Sequence, residues 1–299
     1  MRPQGTGWIP DQPDARDYGP EHKNLARPLA GLQAQIAVPA VPLPPRVDLS
    51  GDFPPVIEQG PLNSCTAATA AALIGYFEKK TYGWVTSPSI LFLYKVERNL
   101  LGQTGDTGAF LRTAMQALRA FGVPPEKVWP YQPALLDVEP APFHYAFAAN
   151  FKATHYFRLD TIGTTPELLL QRVKTAISLG LPPMYGMALF DSLDTAGPGE
   201  IPFPGPFDTQ QNLHALVAVG YDDAKTISRF DPKSGRMSVT AGALLVRNSW
   251  GTQWGNGGYG WVPYDYVLAG LTSDWWCLLR ADSVDLAVFQ KLSTGGAPR

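Results

Sequence analysis

The spacing of apolar residues changes along the chain. Residues 65–80, CTAATAAALIGYFEKK, form an alanine-rich run of helical length. Asn63 or Ser64 stands where an N-cap belongs, Lys79 and Lys80 occupy the last turn, and Gly83 follows as a stop. Ser87-Pro88 opens a second helix, with proline at its first position. Residues 108–121 carry apolar side chains at helical spacing and stop at Gly122, and Thr165-Pro166-Glu167 starts a further helix that ends at Gly180. From there the runs shorten and become β-like, at 183–190, 213–221, 243–250, 258–264 and 274–281, with turn-rich segments such as 196–208 between them. The pattern predicts an α+β protein: a helical lobe, about 58–140, followed by an antiparallel, barrel-like β lobe, about 150–281. Residues 1–45 have little periodicity beyond a short helix expected near 23–36. They read either as a disordered tail or as an arm that lies in a cleft and restrains it. The expected units are therefore the arm at 1–45, a main domain at 46–285 and a tail at 286–299.

Composition narrows the functional classes. The 299 residues are 45% hydrophobic and 17% charged, enough for a sizeable core in one large domain or two lobes. The net charge is −2 and no Lys/Arg-rich run occurs, so neither nucleic acid nor an anionic membrane is an indicated partner. Two cysteines, Cys65 and Cys277, exclude a disulfide framework. No apolar run reaches the ~20 residues of a membrane span, and the first residues lack a signal peptide's apolar centre. A monomer in the cytoplasm, or exported without a signal, is the expectation.

Cys65 is where chemistry enters. A thiol at a helix N-terminus lies in positive potential, which favours thiolate. Alone it would be a small buried residue, and a thiolate also needs a base and a group that orients the base. Of the four histidines, His22 lies in the arm, and His144 and His155 sit in polar and aromatic surroundings. His214 heads an apolar strand, where a lone histidine would be a satisfied core residue. Asn248, on another strand, offers an uncharged oxygen to the imidazole N–H, and Trp250 can shield that bond. Gln59 and the Cys65 backbone N–H can both donate to a developing oxyanion. The order Gln–Cys–His–Asn outweighs the structural reading of each residue taken singly.

These residues resemble the papain-like cysteine peptidases. The resemblance rests on Gln59-Gly60, Ser64-Cys65, His214-Ala215 with the strand to Gly220-Tyr221, residues 105–131, and above all NSWGTQWGNGGYG at 248–260. It runs from about Val47 to Ala281. Cys65 and His214 are 149 residues apart, within the roughly 130–150 usual for the family. The opening GWIPDQPDARDY is similar to bacterial members. The family's first cysteine is replaced by Leu62, its tryptophan after the nucleophile by Thr66, and the first glycine of its Gly-Gly pair by Thr107.

The resemblance implies a two-lobed fold with the active site in the cleft between lobes. It implies catalytic roles for Cys65, His214, Asn248 and Gln59, and substrate contacts from Gly108, Ala215 and Trp250. It also implies a Cys65 thiolate paired with a His214 imidazolium, no cofactor or metal, peptide or protein substrates, and the arm as an inhibitor. A cysteine-dependent acyltransferase or isopeptidase is the alternative. GNGGYG at 255–260 matches a dinucleotide fingerprint literally, but it runs into a strand rather than opening a helix, and that reading is rejected. Cys277, in an apolar strand, reads as core.

Overall fold

The structure is a computed structural model and describes residues 5–22, 36, 42–231 and 235–283. Apart from Ile36, the helix expected near 23–36 lies outside the described residues, as does the tail at 286–299. Helix α1 spans Cys65–Tyr82 and ends at Gly83, whose φ of 75° suits a residue without a Cβ. Its cap differs from expectation. Ser64 holds the N-cap position, but its side chain makes no capping bond.

Helix α2 is Ile90–Leu100, and it starts two residues later than Ser87-Pro88 suggests. Pro88 is instead bridged to Pro125, and Ser89 caps by accepting from the Phe92 N–H. Helices α3 (Leu111–Ala120) and α4 (Pro142–Ala148) complete the helical lobe. Helix α5 (Pro166–Ser178) is capped by Thr165, as its sequence predicts, and α6 (Asp265–Leu268) is a single turn.

The β lobe is a seven-stranded antiparallel sheet made of β1 (Arg46–Asp48), β2 (Phe151–Arg158), β3 (Pro183–Phe190), β4 (Gln210–Asp231), β5 (Arg236–Arg247), β6 (Tyr259–Pro263) and β7 (Thr272–Ser283). The order is β2-β7-β3-β4-β5-β6, and β1 pairs with β4. Neither β1 nor β2 is signalled by the apolar pattern. Residues 222–231 and 236–242, which fall between the runs expected at 213–221 and 243–250, are the outer parts of the paired strands β4 and β5, with pairs from Asp222↔Ala243 to Asp231↔Arg236. Within 222–231 only Ile227 and Asp231 are buried, so the ribbon lacks the one-sided apolar pattern that marks a strand.

Both faces of the central strands are covered, which is why they read as unbroken apolar runs. Along β4, Ala215, Val217 and Val219 join the core shared with α1–α3, while Leu216 and Ala218 join a second core beneath α5 and α6. Helix α1 lies between the lobes, and its alanines (Ala67, Ala68, Ala70, Ala71) let neighbouring elements approach closely. Cys277 is buried in the second core, as expected. No described helix is long and apolar enough to cross a membrane.

Candidate active site

The N-terminus of α1 and the β4/β5 face of the sheet bring four expected residues together. His214 Nε2 lies 2.8 Å from Asn248 Oδ1. That oxygen also accepts the Ser249 N–H at 2.7 Å, so it is the carbonyl side of the amide, and His214 Nε2 must carry the proton. Nδ1 is thereby left as an unprotonated lone pair, buried and without a hydrogen-bond partner among the described residues. The Trp250 indole stacks on the imidazole, with ring centroids 4.4 Å apart and planes at 21°. It covers the His214–Asn248 bond, as its position in sequence suggests.

Consecutive residues of the 248–251 motif each have a task. Asn248 holds His214. The Ser249 hydroxyl donates to Gln59 Oε1, and its carbonyl accepts the Gln59 N–H at 2.8 Å. Gln59 Nε2 is thereby turned toward the start of α1, and the Tyr131 hydroxyl fixes the same loop by donating to the Gln59 carbonyl. Trp250 stacks on the histidine, and Gly251 has a φ of 70° where a Cβ would lie 2.9 Å from Glu58. At the substituted position, the Thr66 hydroxyl donates to Glu97 Oε2 at 2.6 Å. Glu97 is fully buried beneath α1, and burial pushes its carboxyl up to about 8.

The arm lies in this cleft. The Thr6 carbonyl oxygen receives both the Cys65 N–H and Gln59 Nε2, each at 3.4 Å. Trp250 Nε1 donates to the Gly5 carbonyl at 3.0 Å. The Ala109 N–H donates to Gly7 O, and Ile9 N–H to Ala109 O, each at 2.9 Å, in a parallel bridge. A Cβ on Gly108 would lie 2.2 Å from Gly7 O, so a glycine is required for this approach. Further along, Arg112 bonds the Asp11 and Asp17 carboxylates and the Gln12 carbonyl, and Arg158 bonds the Asp11 carbonyl.

Under this cover the ionisation differs from the sequence expectation. Cys65 is fully buried, and burial pushes its thiol up to about 12, against the opposing pull of backbone groups at Ala215, Trp8 and Thr66. Burial likewise lowers His214 to about 4, although Asn248 favours the charged ring. With the arm seated, burial therefore favours the uncharged form of both the thiol and the imidazole. The helix N-terminus does not overcome desolvation.

All seven expected residues lie at this cleft: Gln59, Cys65, Gly108, His214, Ala215, Asn248 and Trp250. Sequence reasoning missed Trp8, Ala109, Arg112, Arg158, Gly186 and Asp274. A tryptophan amid the polar residues 2–6 and 10–17 of the arm and an aspartate directly before Trp275-Trp276 are the signals that were available. No group of three or more side chains suited to a metal occurs among the described residues.

The family model of papain family cysteine proteases matches residues 43–273. A peptidase C1-like protein of Acanthamoeba polyphaga mimivirus is 32% identical over 74% of this chain and 68% of its own length. Chymopapain of Carica papaya is 26% identical over 70% of this chain, which spans about half of that relative. Among solved structures, xylellain, a cysteine protease from Xylella fastidiosa, is 32% identical, with a TM-score of 0.70 over 94% of this chain and 97% of its own. Procathepsin L 3 of Tenebrio molitor shares the fold at 20% identity and a TM-score of 0.58, covering 80% of this chain and 70% of its own.

Proposed function

The chain belongs to the papain family of cysteine proteases, and on that premise we propose that residues 46–285 are a catalytic domain that cleaves peptide bonds through Cys65 and His214, and that the arm at 1–45 restrains it. The observation that carries this reading is the Thr6 carbonyl, held by Cys65 N–H and Gln59 Nε2 where the oxyanion of acyl transfer would form.

The chemistry follows from the proton inventory. Once the arm leaves and water re-enters, His214 Nδ1 takes the Cys65 proton. The thiolate attacks the scissile carbonyl carbon, and Gln59 Nε2 and the Cys65 N–H stabilise the oxyanion. The tetrahedral adduct collapses as the imidazolium gives its proton to the departing amine nitrogen, leaving a thioester on Cys65. His214 then deprotonates a water, which attacks the thioester carbonyl, and the thiol is restored as the acid is released. Asn248 holds the other proton on Nε2, so Nδ1 is the nitrogen that takes up and returns the transferred proton.

Chain direction supports the inhibitory role. The leaving nitrogen must face His214, so a productive peptide runs with the residue after the scissile bond toward Trp250. The arm runs the other way, with Gly5 at Trp250 and Gly7 at Gly108–Ala109. Its peptide nitrogen after Thr6 therefore points away from the general acid, so the arm can occupy the site without being cut.

The test is hydrolysis of a quenched peptide library by the full-length chain and by Trp8→Ala, each alone and with Cys65→Ala. Cleavage that rises in Trp8→Ala and vanishes with Cys65→Ala is expected. If Cys65 in Trp8→Ala alkylates readily yet no peptide is cut, the peptidase reading fails and acyl transfer to a specific partner takes its place.

A further inference from the structure

The arm fills a slot that it did not need to build for itself. The Trp8 ring lies flat against Gly186 on β3, so close that a Cβ there would sit 2.0 Å from the indole Cε2. At the far end, the indole Nε1 donates to Asp274 Oδ2 at 3.0 Å. Trp8 is 5% exposed and Asp274 is fully buried. The slot opens beside Ala109, next to the oxyanion donors.

Asp274 is held as an acceptor by groups outside the arm. Its backbone has a φ of 60°, a left-handed conformation that few side chains tolerate. The two Asp160 carboxylate oxygens fix that turn by accepting the Asp274 and Trp275 N–H groups, each at 2.9 Å. Arg158, also fully buried, bonds Asp160 and lies 3.1 Å from Asp274 Oδ1. Oδ2 is different. Among the described residues, its hydrogen bonds come from Trp8 Nε1 and the Asp11 N–H, and both belong to the arm. When the arm leaves, Oδ1 keeps its arginine, and Oδ2, at the foot of the opened slot, loses both of the donors that the described residues supply. An acceptor in that state favours an occupant that supplies one and rejects an isostere that does not.

Resting on the peptidase reading above, we propose that this slot selects the substrate, and that it takes a flat side chain with an N–H at its tip, tryptophan above all, at the second residue before the scissile bond. The position follows from the arm's path. Trp8 is two residues beyond the carbonyl in the oxyanion site. In a chain running in the productive direction, the second residue before the scissile bond matches that reach most closely by backbone-bond count. The flat wall comes from the missing Cβ at Gly186 and the polar tip from Asp274.

The experiment uses the full-length chain carrying Trp8→Ala, which empties the slot. Quenched peptides that differ only at the second residue before the cut carry Trp, Phe or Leu. A donor to a charged acceptor should raise kcat/KM for Trp over Phe roughly ten- to a hundredfold. Asp274→Asn should bring that ratio toward one. Gly186→Ala should cost the Trp peptide at least about tenfold while sparing the Leu peptide; the glycine has no left-handed φ, so alanine adds only volume. This second variant keeps the test open if Asp274→Asn does not fold. A readout without catalysis separates the two readings: a labelled peptide copying residues 5–13 should bind the Trp8→Ala, Cys65→Ala chain at least about tenfold tighter than the same peptide with Trp8→Phe. If nothing is cleaved but this difference holds, the peptidase reading fails and the slot stands. Equal cleavage of Trp and Phe peptides, with Gly186→Ala leaving both unchanged, overturns the slot.

Discussion

Replacing Trp8 with alanine should uncover Cys65 without unfolding the protein. A tryptophan buries roughly 150–250 Å². At about 25 cal/mol per Å² that is worth roughly 4–6 kcal/mol of apolar burial. Alanine keeps part of the contact, and the indole N–H exchanges Asp274 for water, so about 3 kcal/mol is a lower figure for the loss of arm seating. Every 1.4 kcal/mol is about tenfold, so the arm-released population should rise roughly a hundredfold or more. Because Cys65 is fully buried with the arm seated, its reaction with iodoacetamide reports that population. Cys277, fully buried in the second core rather than in the core that holds Trp8, is an internal control for global opening. Mass spectrometry of full-length wild type and Trp8→Ala should show Cys65 alkylation faster by about two orders of magnitude, with Cys277 unmodified. A Cys65 rate unchanged within about threefold would refute the reasoning, because 3 kcal/mol cannot be hidden in that interval. Parallel labelling of Cys277 would show that the substitution had loosened the whole molecule rather than the arm.

Arm seating should also depend on pH in a stated window. His214 sits at about 4 in the seated form against an ordinary 6.5, so below pH 6.5 the released form takes up a proton that the seated form refuses. Seating should weaken as pH falls from 6.5 toward 4, by at most roughly 3 kcal/mol, and weaken again above pH 9, where released Cys65 ionises and the seated thiol, held at about 12, does not. Asp274, raised by burial to about 6, works the other way only as far as release lowers it, and Arg158 stays beside it in both forms. Protection of the Ile9 and Ala109 amides from hydrogen exchange, corrected for the intrinsic rate, should peak between pH 7 and 8; protection that is flat down to pH 4 would sink this account. Separately, Gln59→Ala in the Trp8→Ala chain should lower kcat roughly 10²–10³-fold without slowing Cys65 alkylation, since Gln59 meets the oxyanion and, with the arm seated, the Thr6 carbonyl, but not the thiol. A change in KM with kcat intact would assign Gln59 to ground-state binding instead.

The parts of this molecule that were legible in the sequence are those whose partners are named by local context. Asn248, Ser249 and Trp250 are adjacent, and each serves a different neighbour: His214, Gln59 and the imidazole face. A run that dense leaves few other uses for its residues. The helix limits at Gly83, Gly122 and Gly180 were legible for a similar reason, because a glycine in the left-handed region stops a helix wherever the rest of the chain goes. What the sequence hid depends on contacts between its two ends. Trp8 and Asp274 are 266 positions apart, and neither residue alone indicates a slot. The thiol's ionisation was hidden in the same way. A helix N-terminus favours thiolate, but the arm that buries Cys65 is contributed by residues 5–9, and desolvation outweighs the local field. On the proposed reading the arm acts on the site twice. It covers the carbonyl position with a peptide running the wrong way, and by excluding water it keeps the Cys65 proton on sulfur and His214 neutral. Removing it restores access and readmits water in one step, so exposure of Cys65 and its reactivity should be lost and gained together.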